Sequence, residues 1–183
     1  EDTILRRTWA EIDLDALEHN YNVARQKIGP GVKYLGVVKA AHGHGAVQVA
    51  RKLEQLGADY LAVSSLDEAM ELRAGGIHMP ILILGHTPPE RVEELLRYHI
   101  TQTVTCRAKA LEDSAEAVRC GGTLKVHIKV ETGMSRLGFL CGGDHFKTGV
   151  AGIVLLHLPG LEAEGIFTHF AVSDEADTET SLY

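Results

Sequence analysis

Two lysines and an arginine stand where a strand would end or a loop would begin, and they are the first residues that could do chemistry. Lys39 closes the apolar run that starts at Tyr34 and is flanked by Val37, Val38 and Ala40. Apolar neighbours strip water from an ammonium and lower its pKa. That raises the fraction of neutral amine able to attack an aldehyde and form a Schiff base. A lysine at a strand end can equally carry its charge out to solvent along its own stem, and position alone does not choose. Directly after it comes Ala41-His42-Gly43-His44-Gly45, whose glycines let the backbone approach a ligand and whose amides could help hold an anion. His42 and His44 stand two apart with no third ligand nearby in sequence, a poor metal signature, so no metal is expected.

A second cluster runs from Lys129 to Phe139, where a strand ends in a lysine and a glycine-punctuated loop delivers Arg136. A guanidinium there brings a fixed positive charge and a planar fork of donors suited to an anionic oxygen, although a surface salt bridge would use it too. In a third cluster, Phe167 to Ala171, His169 sits between aromatics at a strand end. A structural histidine satisfied by its neighbours is the alternative reading. The acidic stretch Asp174-Glu175-Ala176-Asp177 reads as a solvated loop.

The elements that must position these residues alternate regularly. Residues 8–14 read as a strand, and Asp15 is a plausible cap for a helix over 16–27, ended by Gly29-Pro30-Gly31. Strand and helix then follow each other: 34–39 and 47–56, 60–64 and 66–74, 80–84 and 89–98, 102–105 and 109–119, 124–130 and 146–158, with a last strand over 161–169. Such alternation implies parallel strands with right-handed crossovers, in either an open doubly wound sheet or a (β/α)8 barrel. In both, function gathers at the carboxyl ends of the strands, where all three clusters fall. About six β/α strands are legible, against eight in a closed barrel of about 250 residues.

Composition bounds the chemistry. With 183 residues, 45% of them hydrophobic, the chain has enough apolar material for a folded core. A net charge of −7 argues against nucleic acid as partner, since phosphates need concentrated Lys and Arg. Cys106, Cys120 and Cys141 are odd in number, well separated and without metal-ligand spacing, which fits a reducing, cytoplasmic setting. The longest apolar stretch, 149–158, is too short to span a membrane. A small molecule is the expected partner.

Taken in order, Trp9 to Leu17, Val37 to Ala40 with Gly43-His44-Gly45, Lys129 to Phe139 and Gly165 to Ala171 resemble the alanine racemase family across nearly the whole chain. The resemblance implies the family's pyridoxal 5'-phosphate-binding (β/α)8 barrel, incomplete at its C-terminus. Residues 1–183 would form the N-terminal barrel domain, with the C-terminal β-domain absent. It implies interconversion of L- and D-alanine for bacterial peptidoglycan synthesis by a cytoplasmic homodimer. Lys39 is then the Schiff-base lysine and one of two bases. Arg136 contacts the cofactor's phenolic oxygen, His169 lies beside the pyridine ring, Val37 and Leu84 form apolar walls, and Lys129 is carbamylated to steady Arg136.

The loop after Lys39 departs from the family pattern. It is one residue shorter, with His42 where the family has a tyrosine that binds the cofactor phosphate. The tyrosine that serves as the second base is not located in the chain, so the fragment itself is expected to be inactive or impaired. Alternatives within reach of the same motifs are a non-catalytic pyridoxal-phosphate carrier of the same barrel superfamily and a serine racemase domain. A barrel enzyme that uses no pyridoxal phosphate is a further one.

Overall fold

The computed structural model describes residues 8–39, 43–141 and 157–173. Asp13, not Asp15, opens the first helix. Its Oδ1 accepts from the amides of Asp15 at 2.8 Å and Ala16 at 3.0 Å, so α1 runs Leu14–Ile28. The strand expected over 8–14 is not formed, because the carboxylate at 13 commits the following backbone to a helical turn. Gly29, at φ 76°, ends α1 as the glycine cluster predicts.

The β/α alternation is observed. It comprises β1 (Leu35–Val37), α2 (Ala46–Gln55), β2 (Tyr60–Val63), α3 (Leu66–Ala74), β3 (Ile81–Ile83), α4 (Val92–Arg97), β4 (Ile100–Val104), α5 (Arg107–Arg119), β5 (Leu124–Glu131), β6 (Phe139–Leu140) and β7 (Leu161–Phe167). A 3₁₀ turn at Pro89–Arg91 leads into α4 where a single helix was expected. The two-residue strand β6 was not anticipated. The helix expected over 146–158 lies almost entirely outside the described residues.

Among the described residues every strand pairing is parallel, and the main sheet runs β1-β2-β3-β4-β5-β7, with β6 lying against the carboxyl end of β5. A doubly wound sheet reverses its strand order at a switch point. Here each strand is laid beside its predecessor without reversal, which is the progression of a (β/α) barrel wall. The spatial order makes the choice that periodicity left open.

Among the described residues, helices pack on one side of the sheet. Leu61, Val63, Ile81, Ile83, Val126 and Ile128 point there and are at most 3% exposed. On the other side the register aligns Val37 with Ala62, Ala62 with Leu82, Leu82 with Thr101, Thr103 with His127, and Lys129 with Phe167. This is the inner face of the wall. Its β1 residues Leu35 and Val37 are 37% and 51% exposed, because no described element covers them.

Candidate functional site

The strand β5 explains how the site is built. Its sequence alternates strictly: Leu124, Val126, Ile128 and Val130 face the helices, while Lys125, His127, Lys129 and Glu131 face inward. Four polar residues on one face of a central strand need partners, and the loop and strand that follow provide them. At the carboxyl end of the strands the inner face hollows into a concavity of about 290 Å³. Val37, Leu84, Lys129, Arg136 and His169, five residues singled out from sequence, all line it.

Glu131 anchors the loop that carries Arg136. Its carboxylate accepts from the Gly133 amide at 2.7 Å and the Arg136 amide at 3.2 Å. Burial on its own would favour the neutral acid, but the amides of Ser135, Gly133, Arg136 and Met134 outweigh it and hold the group down at about 2. The chain wraps this carboxylate through Ser135 at φ 54° and then returns through Gly138 at φ 124°. A Cβ at Gly138 would sit 2.9 Å from the Lys129 carbonyl, so only glycine lets the loop close back on β5. The result fixes the Arg136 backbone while leaving its side chain exposed at the concavity.

Lys129 is 4% exposed, donates to the Val130 carbonyl at 2.7 Å and lies 5.8 Å from the centre of the Phe167 ring. Its pKa is lowered chiefly by loss of water; Glu131 opposes the shift and the Arg136 charge adds to it. Beside it, the Thr168 hydroxyl donates to the Val130 carbonyl at 3.1 Å and lies 2.7 Å from the Thr132 hydroxyl. These contacts tie the segment bearing His169 to the end of β5.

Lys39 lies two residues beyond the end of β1, where the backbone has left the strand for a 3₁₀ turn. It is exposed and is not among the residues that line the concavity. The partial desolvation expected from its apolar neighbours is therefore not supplied. Val38 turns to the helix side at 3% exposure, and Val37 is itself half open. Gly43 and Gly45 adopt φ 78° and 83°, the left-handed backbone expected of a glycine turn, and Gly45 caps α2 without a side-chain hydrogen bond. His42 lies outside the described residues.

Sequence reasoning passed over His127, Glu131 and Phe167 as individual site residues, although their signal was present. His127 and Glu131 stand two residues either side of Lys129 in an alternating strand, which places all three on one face. A larger hollow, about 470 Å³, lies at the opposite, amino end of the strands. There the Arg73 guanidinium is spent on the carbonyls of Ile77, Met79, Tyr98 and His99, the work of a structural clamp. Among the described residues no group of three His, Cys, Asp or Glu is placed to hold a metal ion, and no helix is long and apolar enough to cross a membrane.

Comparison with known proteins agrees with this architecture. The family model described as alanine racemase, N-terminal domain, matches residues 12–182. The alanine racemase of Desulfovibrio desulfuricans is 47% identical over 174 residues, covering 94% of this chain and 46% of the relative. That of Clostridium tetani is 46% identical over 181 residues, covering 97% and 46%. The chain thus spans about half the length of the curated relatives it matches. Among solved structures, alanine racemase from Clostridium difficile 630 superposes with a TM-score of 0.90 at 41% identity, over 98% of this chain and 47% of that one. The same protein is also known in complex with cycloserine, at the same TM-score of 0.90. The Bacillus anthracis alanine racemase with bound L-Ala-P gives 0.84 at 36% identity, over 97% and 45%. With the family model covering nearly the whole chain and the parallel wall reproduced in these structures, this chain belongs to the alanine racemase N-terminal domain family.

Proposed function

We propose that this chain carries the cofactor-binding part of a pyridoxal-phosphate-dependent alanine racemase. The observation that carries the reading is the concavity itself. Apolar side chains of Val37 and Leu84 stand with the polar groups of Lys129 and Arg136 around a space of about 290 Å³. Apolar walls with a few convergent charges suit a flat aromatic ring that bears an anionic oxygen. Bound there, pyridoxal phosphate supplies an electron sink for the charge left at Cα when its proton is removed.

The residues divide the remaining work. Lys39 Nζ would hold the cofactor and would take or return the Cα proton on one face of the amino acid. Arg136 would offer a fixed charge to an anionic oxygen of the cofactor, and His169 would border it. Val37 and Leu84 would exclude water. His42 would contribute to holding the phosphate in place of the family's tyrosine. Racemisation also needs a group on the opposite face. That role is not assigned to a residue of this chain. Alanine as substrate is supported by the names of the relatives, whereas a homodimer, a cytoplasmic setting and a role in wall synthesis are implied by the family resemblance alone.

Lys129 completes the proposal. As an ammonium it would repel Arg136, and its depressed pKa makes the neutral amine accessible. That amine adds to carbon dioxide and releases one proton, and the carbamate formed turns a like charge beside Arg136 into an opposite one. The native mass is expected to exceed the sequence mass by one carbon dioxide, and Lys129→Gln is expected to remove the excess and weaken cofactor binding. A native mass without the adduct, together with a silent Lys129→Gln, would sink the carbamate.

The test of the whole reading is the visible absorbance of the chain with pyridoxal phosphate, followed by borohydride trapping and peptide mapping. Label on Lys39, lost in Lys39→Ala, is the expected result. Label elsewhere, or an unchanged band in Lys39→Ala, overturns the assignment.

A further inference from the structure

Below Lys129 the inner face holds a second polar layer that the proposed chemistry does not use. Its centre is Glu164, at an irregularity in β7. The pairing of β5 with β7 runs Val126 to Ala163 and then His127 to Gly165, so Glu164 is an extra residue, a bulge. The bulge aims its carboxylate inward. Oε1 accepts from the Tyr60 hydroxyl at 2.6 Å and the Thr101 hydroxyl at 3.1 Å, while Oε2 accepts from Lys125 Nζ at 2.8 Å. Oε1 also lies 3.7 Å from His127 Nε2.

The same bulge shapes a seat for the His127 ring. A Cβ at Gly165 would stand 2.7 Å from Cε1, 2.8 Å from Nδ1 and 2.9 Å from Nε2, so the imidazole rests directly on the glycine backbone. Tyr60 and Phe167 flank it, with ring centres at 5.5 and 6.4 Å. A side chain confined from several sides keeps one position at little further entropic cost. This one reaches the concavity, which His127 lines together with Lys129 and Arg136.

We infer that His127 is a further positioning residue of the cofactor site, an imidazole floor seated by the Glu164–Gly165 bulge. The inference rests on the cofactor reading above. The floor has two physical consequences. A rigid aromatic edge limits how deep a planar ring can sink between Val37 and Leu84. Its charge state also matters, because protonation would add a cation close to Lys129 and Arg136 and alter the field at the ring. Burial lowers the His127 pKa and Glu164 partly restores it, so the imidazole is mainly neutral at pH 7. The charged or titratable groups that face it are Tyr60 from β2, Lys125 and Lys129 from β5, and Glu164 from β7, with Arg136 at the rim of the concavity.

Two measurements on the full chain test this. In the cofactor-free protein, the NMR titration of His127 is expected to have a midpoint below that of a free histidine, and Glu164→Gln is expected to lower it further. An ordinary midpoint that Glu164→Gln leaves in place overturns the seat, whatever the cofactor does. In the protein loaded with pyridoxal phosphate, the Lys39-linked absorbance band is expected to change reversibly as pH falls below the ordinary histidine range and the floor gains its proton. His127→Asn should abolish that acid limb and weaken cofactor binding roughly tenfold, the scale of one lost side-chain contact. A folded His127→Asn that binds as tightly as the parent and keeps the limb overturns the role. Failure of the parent to form any band on Lys39 instead refutes the cofactor reading, and this inference with it.

Discussion

The two faces of the sheet are made of similar material and do opposite work. On the helix side, Ile81, Ile83 and Leu61 are fully covered and bring little beyond volume and water exclusion. On the inner side, Val37 and Leu35 are partly open, and between the apolar positions stand Lys129, Glu131, His127 and Glu164, each held by named polar partners. The difference teaches that stability and chemistry are separated by the two-residue period of a strand. One step along β5 moves from a core residue to a site residue.

Substitutions that strike one face and spare the other sharpen this contrast. The largest effect is expected from Ile81→Ala on the helix side, which should cost ~2–5 kcal/mol of unfolding free energy by denaturant titration. Lys39 trapping should survive in the folded fraction. Loss of trapping with intact stability would mean that the faces are not separable there. Next comes Glu131→Gln, which replaces a carboxylate held by backbone amides and should cost ~1–3 kcal/mol.

The pH dependence of that second variant carries a sign. The pKa of Glu131 is depressed in the folded chain from the usual 4.5 to about 2, so its contribution is complete above the ordinary carboxylate range. It is lost as pH falls from about 4.5 through about 2. Acid unfolding of Glu131→Gln should therefore be flatter than that of the parent in that window. Parallel acid limbs would show that the amide cradle is not formed.

Val37→Ala should do least to stability, within about 1 kcal/mol for a half-exposed side chain. Its effect belongs in the dissociation constant for pyridoxal phosphate, which should rise several-fold as one wall recedes. A strong loss of stability without any change in cofactor affinity would reverse the assignment of β1's inner side.

Much of this was legible from residues alone, and the misses have physical causes. The helices over 16–27, 47–56, 66–74 and 109–119 were found within a few residues of their observed bounds, because each is bounded by a cap, a glycine or a strand-like apolar run. The strand at 8–14 failed because an apolar-polar alternation cannot by itself outrank a capping aspartate. Lys39 was expected to be partly desolvated, yet desolvation depends on what packs across the face rather than on sequence neighbours. Glu164 and His127 escaped notice because a bulge shifts the register invisibly: nothing local says that Glu164 will face Tyr60, more than a hundred residues away in the chain.

By itself the sequence determined the β/α rhythm, the strand ends to within two residues of Lys39, Lys129 and His169, and the glycines that let the loops turn there. It did so because periodicity, capping and backbone freedom are local properties. Only the tertiary structure decided that the strands add in one direction as a barrel wall. It also decided that Val37, Leu84, Lys129, Arg136 and His169 share one concavity, and that Glu131 and Glu164 each find their donors. These are long-range facts, set by which strand lies beside which and by a single residue of register, and no window of sequence contains them.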